Sequence, residues 1–348
     1  MTDCLRLTAY LGERQRVNSH FAADEILDLF SRRRVANSVL LRGIAGFGAH
    51  HILRTDESLT LSEDPPVVIA AVDVADVIAP LADDVAATIP QGLVTVESAR
   101  LLDAPAVDSA LPADAMVSMS IALGRNRHVN GVPVFVAVCD LLYRNHFAGA
   151  TALLGVDGTS HGERRRARFF GRNLDVPLAI VAVGTVAQMN SVFPALQTIL
   201  DRPLLSVERV QLCKRNGVLL AEPGAPSPAT WPTDGPGWQK LIVHTSEATR
   251  HDGVPIHRAL VRRLRESRAA NGATALRGIR GFHGDHPPRG DALIQFGRQV
   301  PVMTVVVDTP ANIMRSFEIV DELTADHGLV TCQTVGGAAI PRPGPIGG

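Results

Sequence analysis

Glycine-rich segments flanked by arginine offer backbone N–H groups and positive charge, the two things that hold a small anion. This chain carries such segments at Arg42-Gly43-Ile44-Ala45-Gly46-Phe47-Gly48 and Arg277-Gly278-Ile279-Arg280-Gly281-Phe282-His283, with a degenerate copy at Leu154-Gly155-Val156-Asp157-Gly158-Thr159-Ser160. Arg42 and Arg277 would add charge to a backbone nest, and Phe47 and Phe282 suit either stacking on a base or plugging the top of a core. Polar loops with Arg14, Arg16 and Asn18, with Arg127, His128 and Asn130, and with Arg250, His251 and Asp252 recur upstream of each segment. The expected ligand-binding set is therefore Arg42, Gly43, Gly46, Phe47, Gly48, Arg277, Gly278, Gly281 and Phe282 with Arg14, Arg16, Asn18, Arg127, Asn130 and Arg250. Turn geometry for the glycines and a solvated loop for the arginines are the purely structural alternatives.

Metal binding is a second chemistry. His50, His51, His283 and His286 have the acidic neighbours Asp56 and Asp285, although neither pair has a recognised zinc spacing and no cysteine stands near. No Ser-His-Asp order, paired-carboxylate motif or cofactor fingerprint points to an enzyme. Cys4, Cys139, Cys213 and Cys332 lack CxxC spacing and read as small core residues in a reducing compartment.

The elements that position these residues come three times. Gly12-Glu13-Arg14-Gln15-Arg16-Val17-Asn18-Ser19 matches Gly124-Arg125-Asn126-Arg127-His128-Val129-Asn130-Gly131 and Ser246-Glu247-Ala248-Thr249-Arg250-His251-Asp252-Gly253, and the proline-led runs at 66–73, 177–184 and 301–308 match in turn. Repeats occupy 1–102, 116–215 (degenerate) and 238–336, with linkers at 103–115 and 216–237 and a disordered tail at 337–348. Each reads as a strand (5–11, 117–123, 241–245) and a helix opened by capping chemistry at Asn18-Ser19, Asn130-Gly131 or Asp252-Gly253. A second strand, a long loop, a third strand, a second helix and a last strand follow. That order, βαββαβ, is the ferredoxin-like split unit.

Such a unit covers one sheet face with its own helices, yet the third strands are apolar on both faces. The bare faces are expected to meet at a pseudo-threefold axis with the helices outside, a trimer interface made intramolecular. The fold class is thus α+β, three ferredoxin-like domains closing as an intramolecular pseudo-trimer.

The motifs Leu11-Gly12-Glu13, Leu41-Arg42-Gly43-Ile44 through Gly46-Phe47-Gly48, Leu61-Ser62-Glu63-Asp64-Pro65-Pro66 and Gly92-Leu93-Val94-Thr95 resemble the PII-like uncharacterised family called domain of unknown function 190. Repeat 1 matches throughout, repeat 3 nearly so, and repeat 2 is degenerate. The resemblance implies a regulatory role like that of the trimeric PII signalling proteins: a small effector, often an adenine nucleotide, bound between neighbouring units, and a long hairpin loop that engages a target protein, with a membrane channel or transporter among the candidates. The glycine- and lysine-containing phosphate loop of nucleotide-binding PII proteins is replaced here by Ile89-Pro90-Gln91-Gly92, Asp201-Arg202-Pro203 and Asp326-His327-Gly328. A divalent-metal-binding trimer of the CutA type and a ligand-independent structural adaptor are the alternatives. A pseudo-trimeric monomer or a dimer of pseudo-trimers is the expected assembly.

Bulk properties narrow the classes. The chain of 348 residues is 46% apolar with a net charge of −1 and has no polybasic block to neutralise nucleic-acid phosphates. The absence of a charged-then-apolar leader and of a bilayer-length apolar run gives the expectation of a soluble, cytoplasmic protein.

Overall fold

A computed structural model describes residues 2–55, 64–101, 111–166, 176–200, 204–224, 237–284, 286–290, 299–335 and 337–339. The protein is mixed α+β, with mostly antiparallel sheet and six helices among the described residues, arranged as three repeats. Repeat 1 contains β1 (Thr2–Gly12), α1 (Ala22–Arg32), β2 (Asn37–Phe47), β3 (Pro66–Val74), α2 (Ala75–Thr88) and β4 (Leu93–Leu101). Repeat 2 contains β5 (Met116–Gly124), α3 (Val134–Arg144), β6 (Gly149–Leu154), β7 (Asp157–Ser160), β8 (Pro177–Thr185), α4 (Val186–Leu200), β9 (Leu204–Arg209) and β10 (Gln211–Arg215). Repeat 3 contains β11 (Trp238–Ser246), α5 (Ile256–Glu266), β12 (Ala273–Arg277), β13 (Arg280–His283), β14 (Pro301–Asp308), α6 (Pro310–Leu323), β15 (Leu329–Val335) and β16 (Gly337–Ala339).

Within a repeat the first strand sits between the third and the last, and the second lies outside the third, all antiparallel; in repeat 1 β1 pairs with β3 and β4, and β2 with β3. Alternation along β1 sorts the side chains. Leu5, Leu7, Ala9 and Leu11 pack beneath the helices with Ile26, Leu27 and Phe30 of α1 and Ile78, Leu81 and Val85 of α2, as a period of two against a period of 3.6 requires. Arg6, Thr8 and Tyr10 face the other way, toward the other repeats. A central cluster there joins Val39, Leu41 and Val68 of repeat 1 to Leu153 of repeat 2 and to Ile242, Met303 and Val305 of repeat 3. The four cysteines are buried, and burial pushes the Cys139, Cys213 and Cys332 thiols up to about 12.

Strand exchange closes the three repeats on one another. The second half of β2 leaves repeat 1 and pairs with β12 of repeat 3, from Ala273↔Phe47 to Leu276↔Gly43. In the same sense β13 pairs with β6 of repeat 2, and β7 with the first half of β2. The C-terminal ends make a second such round: β9 pairs with β4, β10 with β15, and β16 with β4.

Three expectations need correction. Asn18-Ser19, Asn130-Gly131 and Asp252-Gly253 are not helix caps. They are the central residues of two-residue hairpins such as Arg16↔Phe21 and Val17↔His20, with φ of 47° and 74°, 50° and 78°, and 49° and 77°, values that a type I′ turn demands. Residues 337–339, read as disordered tail, form β16 on the free edge of β4. Part of the second linker, Val218–Leu219, folds back on β10.

Candidate functional site

The glycine segments lie where one repeat enters the next. Gly43, Gly46, Gly278 and Gly281 are buried, and Gly48 is exposed. At Gly281, φ is +156° and a Cβ would sit 2.1 Å from the Ala150 carbonyl oxygen across the β13–β6 pairing; at Gly46 it would sit 2.7 Å from the Ala273 oxygen. Only glycine permits that approach. The neighbouring repeat's backbone occupies the space expected to form an anion nest at these buried positions. The phenylalanines beside them are plugs, each in its neighbour's core. Phe47 packs with Leu260 and Leu264 of α5, and Phe282 packs with the core of repeat 2, its ring meeting Tyr143 edge-on at 5.3 Å.

Arg42 and Arg277 share one arrangement. Each pairs with the glutamate following its repeat's first strand, Arg42 with Glu13 and Arg277 with Glu247 at 2.6 Å. Arg16 and Arg250 hold the hairpin turns by donating to Ser19 O at 3.1 Å and Gly253 O at 2.7 Å, and Arg16 lies over the Phe21 ring. Arg127 donates to Leu200 O at 2.6 Å, where a cation complements a helix C-terminus. The Arg14 N–H donates to the Asp64 carboxylate. Asn18 and Asn130 shape turns. Most of the expected ligand set is thus engaged within the protein, and the charge that distinguishes the clefts lies elsewhere.

That charge is on the first helix of each repeat, which packs against the incoming strand of a neighbour. On α1, Asp24 and Asp28 receive Arg164 of repeat 2, which also pairs with Asp157 at 2.7 Å; these carboxylates, against the opposing effect of burial, hold the Arg164 guanidinium well above its ordinary range. On α3, Asp140 receives Arg280 of repeat 3 at 2.7 Å. By the repeat register, α5 carries Arg258 and Arg262 where α1 carries Asp24 and Asp28, and the strand arriving from repeat 1 has Ala45 where the others have Arg280 and Asp157. The first helix therefore carries arginines in repeat 3 at positions where repeat 1 carries aspartates.

The histidines do not converge. His51 stacks on Phe47 at 5.6 Å, beside α5, whereas the His283 and His286 rings meet edge-on at 6.3 Å beside repeat 2. Burial, then His286 and His327, push His283 down to about 4, and burial pushes His244 down to about 3. No group of three potential metal ligands occurs among the described residues. Asp56 and Asp285 lie outside them. No helix among the described residues is long and apolar enough to cross a membrane.

A buried polar cluster where the three repeats meet is absent from the sequence reading. Pairing registers place Arg6 opposite Glu97, Ser118 opposite Glu208, and Lys240 opposite Gln333, so the cluster has one such pair from each repeat. Arg6 reaches Glu208 at 2.9 Å and Ser206 at 2.7 Å, Lys240 pairs with Glu97, and the Gln333 amide donates to Glu208 at 2.8 Å and to Glu97 at 3.0 Å. Burial, together with Glu208, raises the Glu97 carboxyl against the opposing pull of Lys240. Burial also works to raise Glu208, but Arg6, Lys240 and Gln333 overcome it and hold that carboxyl below the usual range. Two cations and two carboxylates from the three repeats thus balance one another in this buried cluster. The signal in the sequence is the charged residue inside each apolar strand, as in Leu5-Arg6-Leu7 and Val207-Glu208.

Comparison with known proteins agrees with the internal repeat. The family model DUF190, described as an uncharacterised group, matches residues 4–101, 116–212 and 238–336. The UPF0166 protein of Aquifex aeolicus (strain VF5) is 32% identical over 96 residues, 27% of this chain and 88% of that protein, which is therefore about one repeat long. Among solved structures, aspartate kinase from Synechocystis aligns with 10% identity and a TM-score of 0.26 over 95% of this chain, which spans 43% of the kinase chain.

Proposed function

The chain belongs to the DUF190 family, in three consecutive copies, and from that premise we propose that it is a PII-like regulatory protein: a single-chain pseudo-trimer of ferredoxin-like units that binds a small anionic effector between repeats 1 and 3. The observation that carries this reading is the reversal of charge on α5. Arg258 and Arg262 stand one helical turn apart on the helix that meets the strand of repeat 1, close enough for both to reach one phosphate group. In the other two clefts the corresponding positions carry aspartates that pair with arginines of the neighbouring repeat. The His51 ring, resting on Phe47, offers a flat surface beside the arginines for an adenine base. An adenine nucleotide with a single phosphate fits better than a triphosphate, because no phosphate loop precedes the last strand. Occupancy at the base of the repeat-1 hairpin would be passed to a target protein through that hairpin, as in PII proteins. The one-repeat length of the Aquifex relative supports the view that one chain here does what several chains do elsewhere.

Thermal-shift titration with AMP, cyclic AMP, ATP and inorganic phosphate tests the reading. AMP is expected to raise the melting temperature saturably, since ligand at ~100 times its dissociation constant adds about 2.7 kcal/mol. Arg262→Asp is expected to abolish the shift while leaving the unliganded melting temperature nearly unchanged, because Arg262 is exposed. An equal response in the variant, or none of these anions acting on the wild type, rejects it.

A further inference from the structure

A cavity of about 110 Å³ lies on the axis where the three sheets meet, apart from the cleft assigned to the anion. At three positions around it repeat 2 has smaller side chains than its siblings. Where repeats 1 and 3 place Thr8 and Ile242, repeat 2 places Ser120; where they place Tyr10 and His244, it places Ala122; where they place Val68 and Met303, it places Ala179. Core positions are ordinarily filled to close packing, and lost methylenes destabilise, so a void flanked by the smaller side chains of one repeat is a feature to be explained. Its wall is apolar along Val39, Leu41, Ile242, Leu276 and Val305 and polar along Arg6, Tyr10, Ser118 and Ser120. The charges at the polar end are paired among themselves, Arg6 with Glu208 and Lys240 with Glu97. Burial, with Glu97 nearby, keeps the Tyr10 hydroxyl protonated far above its usual range.

We propose that the axial cavity is a second ligand site, for a compact neutral molecule with a small apolar body and one hydroxyl, such as a short-chain alcohol. An apolar engineered cavity of ~150 Å³ takes up benzene, so a volume of about 110 Å³ limits the ligand to something smaller than benzene. A charged ligand is disfavoured: the cluster has no uncompensated charge to offer it, and entering would strip its water. The hydroxyl meets the serine edge on repeat 2, and the apolar body lies against repeats 1 and 3. Because all three repeats line the one cavity, it is expected to bind one molecule per chain.

2-Propanol and acetate, of similar size and titrated separately by thermal shift and by calorimetry, test this. 2-Propanol is expected to bind the wild type saturably and at least tenfold more tightly than acetate. The double variant Ser120→Ile/Ala179→Met installs the residues that repeat 3 already holds as Ile242 and Met303, and it is expected to remain folded and lose the 2-propanol response. The milder Ala179→Val, repeat 1's residue, gives the same comparison if the double variant does not fold, with 2-propanol binding weakened several-fold. No saturable response of the wild type to 2-propanol, or an unchanged response in the filled variants, overturns the proposal. AMP acts at the cleft, so its result stands or falls independently.

Discussion

Lys240→Met is expected to lower the unfolding free energy by about 3–5 kcal/mol, the loss typical of removing one partner from a buried ion pair. Lys240 is 5% exposed and Glu97 is 1% exposed, so the carboxylate left behind has no water to turn to. The Gln333 amide and Thr95 hydroxyl still donate to it but bring no charge. The loss should depend on pH in a defined sense. Burial already raises Glu97, with Lys240 the largest opposing influence, and removing Lys240 raises it further. A carboxyl whose folded pKa lies above its unfolded value binds more protons in the folded state, so its contribution to stability falls as pH rises from the unfolded toward the folded pKa. The variant should therefore be most impaired near neutrality and recover relative to wild type as pH falls toward the ordinary carboxylate range. Adding Glu97→Met removes the orphaned charge and should restore most of the loss, since an apolar pair of similar volume is often neutral or stabilising there. Urea denaturation of both variants at pH 7 and pH 5 checks this. A loss below about 1 kcal/mol at pH 7 would mean that the cluster is not buried as described.

Phe47→Ala should cost about 3–5 kcal/mol, as for other buried aromatics, and the damage should appear in the wrong repeat by sequence. Phe47 belongs to repeat 1 but fills the core beneath α5 and α6 of repeat 3, touching the cluster of Leu260, Leu264 and Phe317. Hydrogen exchange should therefore accelerate most in α5 and β12, while α1 and α2, whose core contains Ile26, Phe30 and Ile78, keep their protection. Phe282→Ala should do the same to α3 of repeat 2. Loss of protection confined to repeat 1 would show that the strands are not exchanged.

The repeat and its element order were legible because period-two and period-3.6 patterns recur around fixed glycine and proline positions, and the bare sheet faces followed from apolar third strands. Pattern alone does not say how far a strand runs. β2 continues through Phe47 because a partner strand from repeat 3 is there to receive it, which no local propensity reveals. Asn-Gly, Asp-Gly and Asn-Ser pairs suit helix caps and two-residue hairpin turns alike, and the hairpin is what they form here. The arginines of the glycine segments looked available because the partners that neutralise them, Glu13 and Glu247, lie 29 and 30 residues earlier in the chain. The replacement of aspartates by arginines on the first helix of repeat 3 is present in the sequence. It becomes visible only once the exchange shows that α5 faces repeat 1, so that Arg258 and Arg262 must be compared with Asp24 and Asp28.

Calorimetric titration of the intact chain with AMP tests the central claim most directly, because it reads stoichiometry as well as affinity. Three repeats with unequal clefts should bind one AMP per chain, with the site lost in Arg262→Asp. Three equivalents per chain, or no heat of binding in the wild type, would contradict the assignment of an anion site to the single cleft between repeats 1 and 3.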